Sequence, residues 1–362
     1  MKRLLILAAV LMMLTVSCKK STPQPTDDQP TPAQSLIARL DTLRKRGYMY
    51  GHQDDPFYGI TWQWEQGRSD TYELMGDYPA VLGFDLGGLE EGHDKNLDSV
   101  PFNWIREEAI KHYQRGGILT FSWHPHNPAH PEQNAWYVED TTVVGSVLPD
   151  SVNHELFASW MQMTADFLKT LKTDDGEPIP FILRPWHEYN GSWFWWGQKL
   201  CSDQEFKDFW RMTHDFYEAQ LPGQIVWSCS PNLQGGWSEE QFLSRWPGDD
   251  IIDLIGEDCY QWGTEEDFIS QTSTDVEFLS RYALQHGKLF AITECGMQNS
   301  PTPDWWGRVF RPVIERADQP CYFLPWRNWH ADHFGASKDA STADDFKAYA
   351  TQAHILFLKD IQ

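Results

Sequence analysis

From residue 35 onward, short runs of apolar and β-branched residues alternate with longer stretches of helical period. The runs Tyr48–Gln53, Ala80–Leu86, Ile118–His124, Pro180–Glu188, Gln224–Pro231, Ile251–Tyr260, Leu289–Gly296 and Cys321–Asn328 predict eight strands. Between them, Phe102–Arg115, Asn153–Lys172, Asp203–Gln220 and Val276–His286 carry apolar residues at helical spacing and are long enough to cross back over a sheet. Strands that alternate with helices imply a parallel sheet. Eight such units predict the α/β class and a (β/α)8 TIM barrel, one domain over residues 35–362. An open doubly wound sheet is the alternative, but the chain has neither a G-x-G-x-x-G fingerprint nor a P-loop.

The first residues follow a different pattern. Lys2 and Arg3 precede an apolar run from Leu4 to Val16 that is too short for a stable membrane anchor, which predicts a signal peptide over residues 1–17. Ser17-Cys18 resembles a bacterial lipoprotein cleavage site with a lipid on Cys18, although Thr15 stands where such sites usually carry an aliphatic residue; ordinary secretion is the alternative. Residues 18–34 have prolines at 23, 25, 30 and 32 and no apolar pattern, predicting an extended tether. Lys19-Lys20 lacks the acidic run that resembles a surface-export signal, so an exported, periplasm-facing lipoprotein is expected.

Charge narrows the function classes. With 29 Lys+Arg against 52 Asp+Glu, the net charge is −23 and no basic stretch interrupts it. That field repels nucleic acid and anionic lipid, leaving the lipid on Cys18 as the expected membrane contact. A hydrophobic fraction of 41% supports a packed core, and a monomer is expected. With Cys18 assigned to lipid, the remaining five cysteines are odd in number and lack C-x-x-C spacing, so no disulfide framework or metal site is indicated. The 19 tryptophans raise the question of carbohydrate, because a flat apolar ring with one donor suits the C–H face of a sugar.

In a barrel, catalytic groups project from the C-terminal ends of strands. His124, Glu188, Tyr260, Glu294 and Trp326 lie at or near such ends. Strict alternation puts Arg184, Trp186 and Glu188 on one face of the fourth strand, and Ile292 and Glu294 on one face of the seventh. Two glutamates facing one cleft are what glycoside hydrolysis requires, one protonated and one ionised. The bland alternative is that Glu188 and Glu294 close ion pairs with Arg184 and Arg327. His124 and His187 read as hydrogen-bond donors to substrate or carboxylate, and His330 and His333 as an exposed loop. Trp193, Phe194, Trp195 and Trp196 cannot all be buried in one loop, so some line the cleft; Trp136, Trp262 and Trp326 are either core residues or sugar platforms.

The segment Arg184-Pro185-Trp186-His187-Glu188-Tyr189-Asn190-Gly191-Ser192-Trp193-Phe194-Trp195-Trp196-Gly197 resembles the acid/base segment of glycoside hydrolase family 26. Gly51-His52-Gln53, Trp123-His124-Pro125, Asp258-Cys259-Tyr260, Thr293-Glu294-Cys295-Gly296 and Trp326-Arg327-Asn328 extend the resemblance over residues 51–328. It implies a retaining hydrolase on a (β/α)8 barrel, most often a β-1,4-mannanase acting on mannan, glucomannan or galactomannan. It further implies Glu188 as acid/base and Glu294 as nucleophile. His124, His187, Trp193, Tyr260 and Trp326 are placed around the sugar at the cleavage point, Arg327 at a more distant subsite, and Trp136 and Asp258 with the substrate-binding residues. Tyr189 and Asn190 match positions that vary. Hydrolysis of this kind requires no metal or organic cofactor. The same family includes β-1,3-xylanases and mixed-linkage β-glucanases, and a non-catalytic glycan-binding lipoprotein is the reading from another class.

Overall fold

The computed structural model describes residues 29–330 and 332–362; the expected signal peptide, Cys18 and most of the expected tether lie outside the described residues. Strands β1 (Met49–Gln53), β2 (Val81–Asp85), β3 (Ile118–Ser122), β4 (Phe181–Arg184), β5 (Ile225–Cys229), β6 (Leu254–Tyr260), β7 (Leu289–Gly296) and β8 (Tyr322–Pro325) are parallel and form a closed barrel in sequence order. Closure is made by β1, which pairs with both β2 and β8 and so excludes the open sheet. The helices are α1 (Pro32–Leu43), α2 (Asp70–Met75), α3 (Phe102–Gln114), α4 (Val143–Val147), α5 (His154–Leu168), α6 (Asp203–Gln220), α7 (Glu239–Arg245), α8 (Glu265–Gln285), α9 (Arg311–Ile314) and α10 (Ala343–Gln352). A short antiparallel hairpin, β9 (Asn328–Trp329) with β10 (Asp332–His333), follows β8.

Alternation along each strand separates two cores. Outward residues such as Phe84, Phe121, Leu183, Trp227, Ile255, Ile292 and Phe323 pack under the helices. Inward residues Met49, Val81, Ile118, Ile182, Val226, Leu254, Leu289 and Tyr322 form a plug at the N-terminal end of the barrel, which Leu36, Leu40 and Leu43 of α1 close from below. Further along the strands the interior turns polar, with Thr120, Arg184, Ser228, Asp258 and Thr293 all buried. Room for that layer depends on Gly256, where an added Cβ would come 2.3 Å from Thr293 Oγ1 and 2.5 Å from Ser230 Cβ.

The domain starts earlier than residue 35. Thr31 Oγ1 accepts from Gln34 N at 3.2 Å and the Gln34 side chain accepts from Thr31 N at 2.9 Å, a capping box with Pro32 in the first turn, where its missing N–H costs nothing. The last residues of the expected tether therefore belong to α1. Helix α8 begins at Glu265 rather than Val276, because Thr264 caps it and its first turns bury only Phe268, Thr272 and Asp275, too sparse a stripe to read as periodic. Among the described residues the five cysteines are free, and no helix is long and apolar enough to cross a membrane.

Candidate active site

The acid-bearing loop departs from strand geometry. Strand β4 stops at Arg184, and Trp186 (φ 55°) and Glu188 (φ 52°) adopt left-handed backbone, a conformation that costs non-glycine residues energy and persists only when the surroundings enforce it. Trp186 consequently points outward, 4.2 Å between ring centroids from Phe209, with Nε1 donating to Thr213, while Glu188 turns into the cleft. The expectation that Arg184, Trp186 and Glu188 share a face fails for that reason. The turn is held by Glu188 N donating to Ser230 O at 2.7 Å and by Trp196 Nε1 donating to His187 O at 2.8 Å.

Strand β7 departs from alternation too. A bulge shifts its register against β6 and β8, so Ile292 faces the outer core while the consecutive residues Thr293 and Glu294 both face inward. Ile292 and Glu294 do not share a face. Glu294 Oε1 accepts from Arg184 Nη2 at 2.6 Å, and Oε2 accepts from the Tyr260 hydroxyl at 2.8 Å. Asp258 lies behind this pair, fully buried, accepting from Arg184 Nη1 at 3.3 Å and from Thr293 Oγ1 at 2.6 Å. Asp258 is thus absent from the cleft wall and orients Arg184, a correction to its expected place against substrate. Burial works against the Arg184 charge, but Asp258 and Glu294 outweigh it and the guanidinium is held above its ordinary pKa.

Glu188 is in a different environment. Its Oε1 accepts from Asn232 Nδ2 at 2.9 Å and its Oε2 from Trp193 Nε1 at 2.6 Å. Burial, then the facing Glu294, push its pKa up to about 7 despite those donors. One carboxylate oxygen from each of Glu188, Asp258 and Glu294 lies within 4.8 Å of the other two. These are the described residues whose donors could gather round a metal ion, and the Arg184 guanidinium stands among them, donating to two of the three.

A second polar chain borders the cleft. Asp85 Oδ2 lies 2.7 Å from His124 Nδ1, and His124 Nε2 lies 3.0 Å from His187 Nε2. Burial lowers both imidazoles, but Asp85 outweighs it and raises His124, whereas burial, His124 and Arg184 together push His187 well down. His124 is accordingly the ring of the pair that takes a proton more readily, and when charged it donates to Asp85 and to His187.

The cleft above these groups has a volume of about 610 Å³ and is walled by His124, His187, Trp193, Tyr260, Trp326 and Arg327, among others. Trp136, 45% exposed, stacks on His124 at 5.3 Å, and Trp262, 64% exposed, stacks on Tyr260 at 5.9 Å. Of the aromatic block, Trp193 and Phe194 reach the cleft while Trp195 and Trp196 are buried behind it. Arg327 pairs with Asp98 and, at 3.0 Å, with Asp332, so it neutralises neither glutamate; Arg184 does pair with Glu294, and the ion pair coexists with a cleft position. His330 and His333 are half-buried on the β9–β10 hairpin instead of in an exposed loop. Asp85 and Asn232 were not singled out from the sequence. Each stands at or just beyond the end of a strand run, so the rule that found Glu188 also reaches them.

A model for Glycosyl hydrolase family 26 matches residues 22–303. The mannan endo-1,4-beta-mannosidase of Bifidobacterium adolescentis is 30% identical over 345 residues, covering 88% of this chain and 34% of that protein. The enzyme of the same name from Thermothelomyces thermophilus is 30% identical over 348 residues, covering 91% of this chain and 61% of that protein. This chain therefore spans only about a third of the first relative's length. The solved structure of a GH26 beta-mannanase from Bacteroides ovatus is similar with a TM-score of 0.86 and 39% identity, covering 91% of this chain and 96% of that one. A match over most of the chain, on the expected barrel, means that this chain belongs to glycosyl hydrolase family 26.

Proposed function

We propose that this protein is a retaining glycoside hydrolase that cleaves β-1,4-mannosidic linkages in mannan, glucomannan or galactomannan. The observation that carries the proposal is the contrast between two neighbouring carboxyls. Glu294 lies between a cationic donor and a hydroxyl donor, whereas Glu188 is held up to about 7 and is protonated in much of the protein near neutrality. Their oxygens approach within 4.8 Å, in keeping with the separation of about 5–5.5 Å between carboxyl groups used for attack on the sugar, and short of the roughly 6.5–9.5 Å that admits an intervening water.

In the first half-reaction, Glu294 attacks the anomeric carbon as Glu188 gives its proton to the glycosidic oxygen, so the C–O bond to the leaving sugar breaks as the C–O bond to Glu294 forms. Glu188, now a carboxylate, takes a proton from water, whose oxygen displaces Glu294 and restores the original anomeric configuration. Arg184 and Tyr260 hold the two oxygens of the attacking carboxylate, one each. His124, His187, Trp193, Tyr260 and Trp326 surround the sugar at the point of cleavage, with Trp136 and Arg327 further along the chain. The homologous enzymes named mannan endo-1,4-beta-mannosidase support the choice of substrate.

The test is sugar release from linear mannan, glucomannan and xylan by the wild-type domain and its Glu294→Ala variant. Release from the two mannans, lost in the variant, supports the reading; release from xylan alone overturns it. We further propose export with a lipid on Cys18, supported by the leader and the Pro-rich stretch that follows it. Fatty-acid labelling of the expressed chain, absent in Cys18→Ser, tests this, and an unlabelled wild type overturns it.

A further inference from the structure

The carboxylate of Glu188 receives one of its two hydrogen bonds from a residue whose own position is set by an unusual clamp. Asn232 follows β5, and its Nδ2 donates to Glu188 Oε1 at 2.9 Å. Its backbone N donates to Asn190 Oδ1 at 2.7 Å, and Asn190 Nδ2 donates back to the Asn232 carbonyl, so one carboxamide closes a ring with the peptide groups on both sides of the Asn232 side chain. Asn190 and Asn232 are 8% and 5% exposed, and Asn190 sits in the left-handed turn that also carries Glu188. The same β5–α7 loop is tied further along, where Leu233 N donates to Glu257 Oε1 at 3.0 Å and Gly235 N to Asp275 Oδ2 at 2.7 Å. Three consecutive attachments on a short loop fix the amide within reach of one oxygen.

We propose that Asn190 and Asn232 form one unit of the acid/base apparatus, in which Asn232 stabilises the carboxylate that Glu188 becomes on giving up its proton and Asn190 is the positioning residue that sets its reach. The inference deepens the hydrolase reading and rests on Glu188 being its acid/base. A neutral donor suits this task. It strengthens as negative charge develops on Glu188, without adding a cation that would deprotonate the acid before substrate arrives. Trp193 supplies the matching donor on Oε2, from the wall of the cleft. The other groups that bear on Glu188 are Glu294 from β7, Asp258 and Tyr260 from the inner side of β6, Glu257 from its outer side, and His124 beyond β3.

The test compares kcat/KM on mannan with kcat/KM on an aryl glycoside whose leaving group needs no proton, for wild type, Asn232→Ala, Asn190→Ala and Asn190→Asp. Loss of the donor makes Glu188 a weaker acid. Asn232→Ala is expected to lose about tenfold or more on mannan and under about threefold on the activated substrate, with the alkaline limb of the profile moved to higher pH. Asn190→Ala is expected to show the same split at smaller size, and Asn190→Asp, which keeps the acceptor for Asn232 N but loses the donor to its carbonyl, falls between. Titration of the Glu188 carboxyl by carbon-13 NMR reads the same upward shift with no substrate present, so failure of the mannanase reading and failure of this one are distinguishable. Equal losses on both substrates with an unmoved carboxyl titration overturn the proposal, as does a lowered melting temperature with the profile and rates intact.

Discussion

Arg184 Nη2 stands 2.6 Å from Glu294 Oε1, fully inside the barrel, and the same guanidinium reaches Asp258 through Nη1. One oxygen of Glu294 therefore faces a buried guanidinium, and the other is fixed by the Tyr260 hydroxyl. Replacing Arg184 with Met leaves the buried Asp258 and Glu294 carboxyls without their shared cation. The expected cost is about 3–5 kcal/mol of folding stability, read by denaturant unfolding. Activity that survives is expected to show a lower kcat on mannan, because Glu294 Oε1 has lost its donor.

Tyr260→Phe removes one hydroxyl and little volume. It is expected to lower kcat on mannan by about tenfold through loss of the bond to Glu294 Oε2, with the melting temperature within a few degrees of wild type. An unchanged kcat would contradict the role of this hydroxyl in holding the attacking oxygen.

The raised pKa of Glu188 has two consequences. The acid must be protonated to act, so kcat/KM is expected to fall as pH rises through about 7. Stability follows the opposite sense to an ordinary salt-bridged carboxylate. Because the folded state binds the proton more tightly than the unfolded state, stability is lost as pH rises from the ordinary value of 4.5 through about 7. Glu188→Gln is expected to remove that loss, gaining on the order of 1–3 kcal/mol above pH 7 while abolishing turnover of mannan. Thermal melts of both proteins at pH 5 and pH 8 measure the difference; equal gaps at the two pH values would contradict it.

Two tryptophans from one block separate binding from packing. Trp193, half-buried and bonded to Glu188, is expected on conversion to Ala to lose kcat/KM by more than about tenfold with modest loss of stability. Trp196, fully buried behind Phe194, is expected to lose about 3–5 kcal/mol of stability instead. Paired unfolding and kinetic measurements decide, and a reversal of the two patterns would contradict the placement.

The barrel was legible because each strand run is a compact apolar block and the helices between them are periodic; β7 matches its run at both ends. The two glutamates were legible from their place at strand ends. What misled were the directions within those ends. Period-two alternation assigned Trp186 to the cleft face and Ile292 to the face of Glu294, and both assignments failed where left-handed turns and a bulge reset the side-chain phase. Such irregularities are held by tertiary contacts, in the turn after β4 by the indole of Trp196 on the His187 carbonyl, and leave no periodic trace in the chain. The start of α1 was missed for a related reason: Pro30 and Pro32 read as tether, whereas Pro32 fits the first turn of a capped helix. Alternation puts Asp258 and Tyr260 on one inward face of β6, and the depth that sets Asp258 beneath the cleft and Tyr260 in its wall leaves no mark in the pattern.

The central claim is that Glu294 forms the bond to the sugar while Glu188 handles the proton. The most direct measurement is mass spectrometry of peptides from the wild-type enzyme trapped with a slow fluorinated mannosyl substrate, with the anomeric form of the first product followed by NMR. The account predicts one sugar adduct on the peptide bearing Glu294 and a first product of retained configuration. An adduct on another residue, or a first product of inverted configuration, would contradict it.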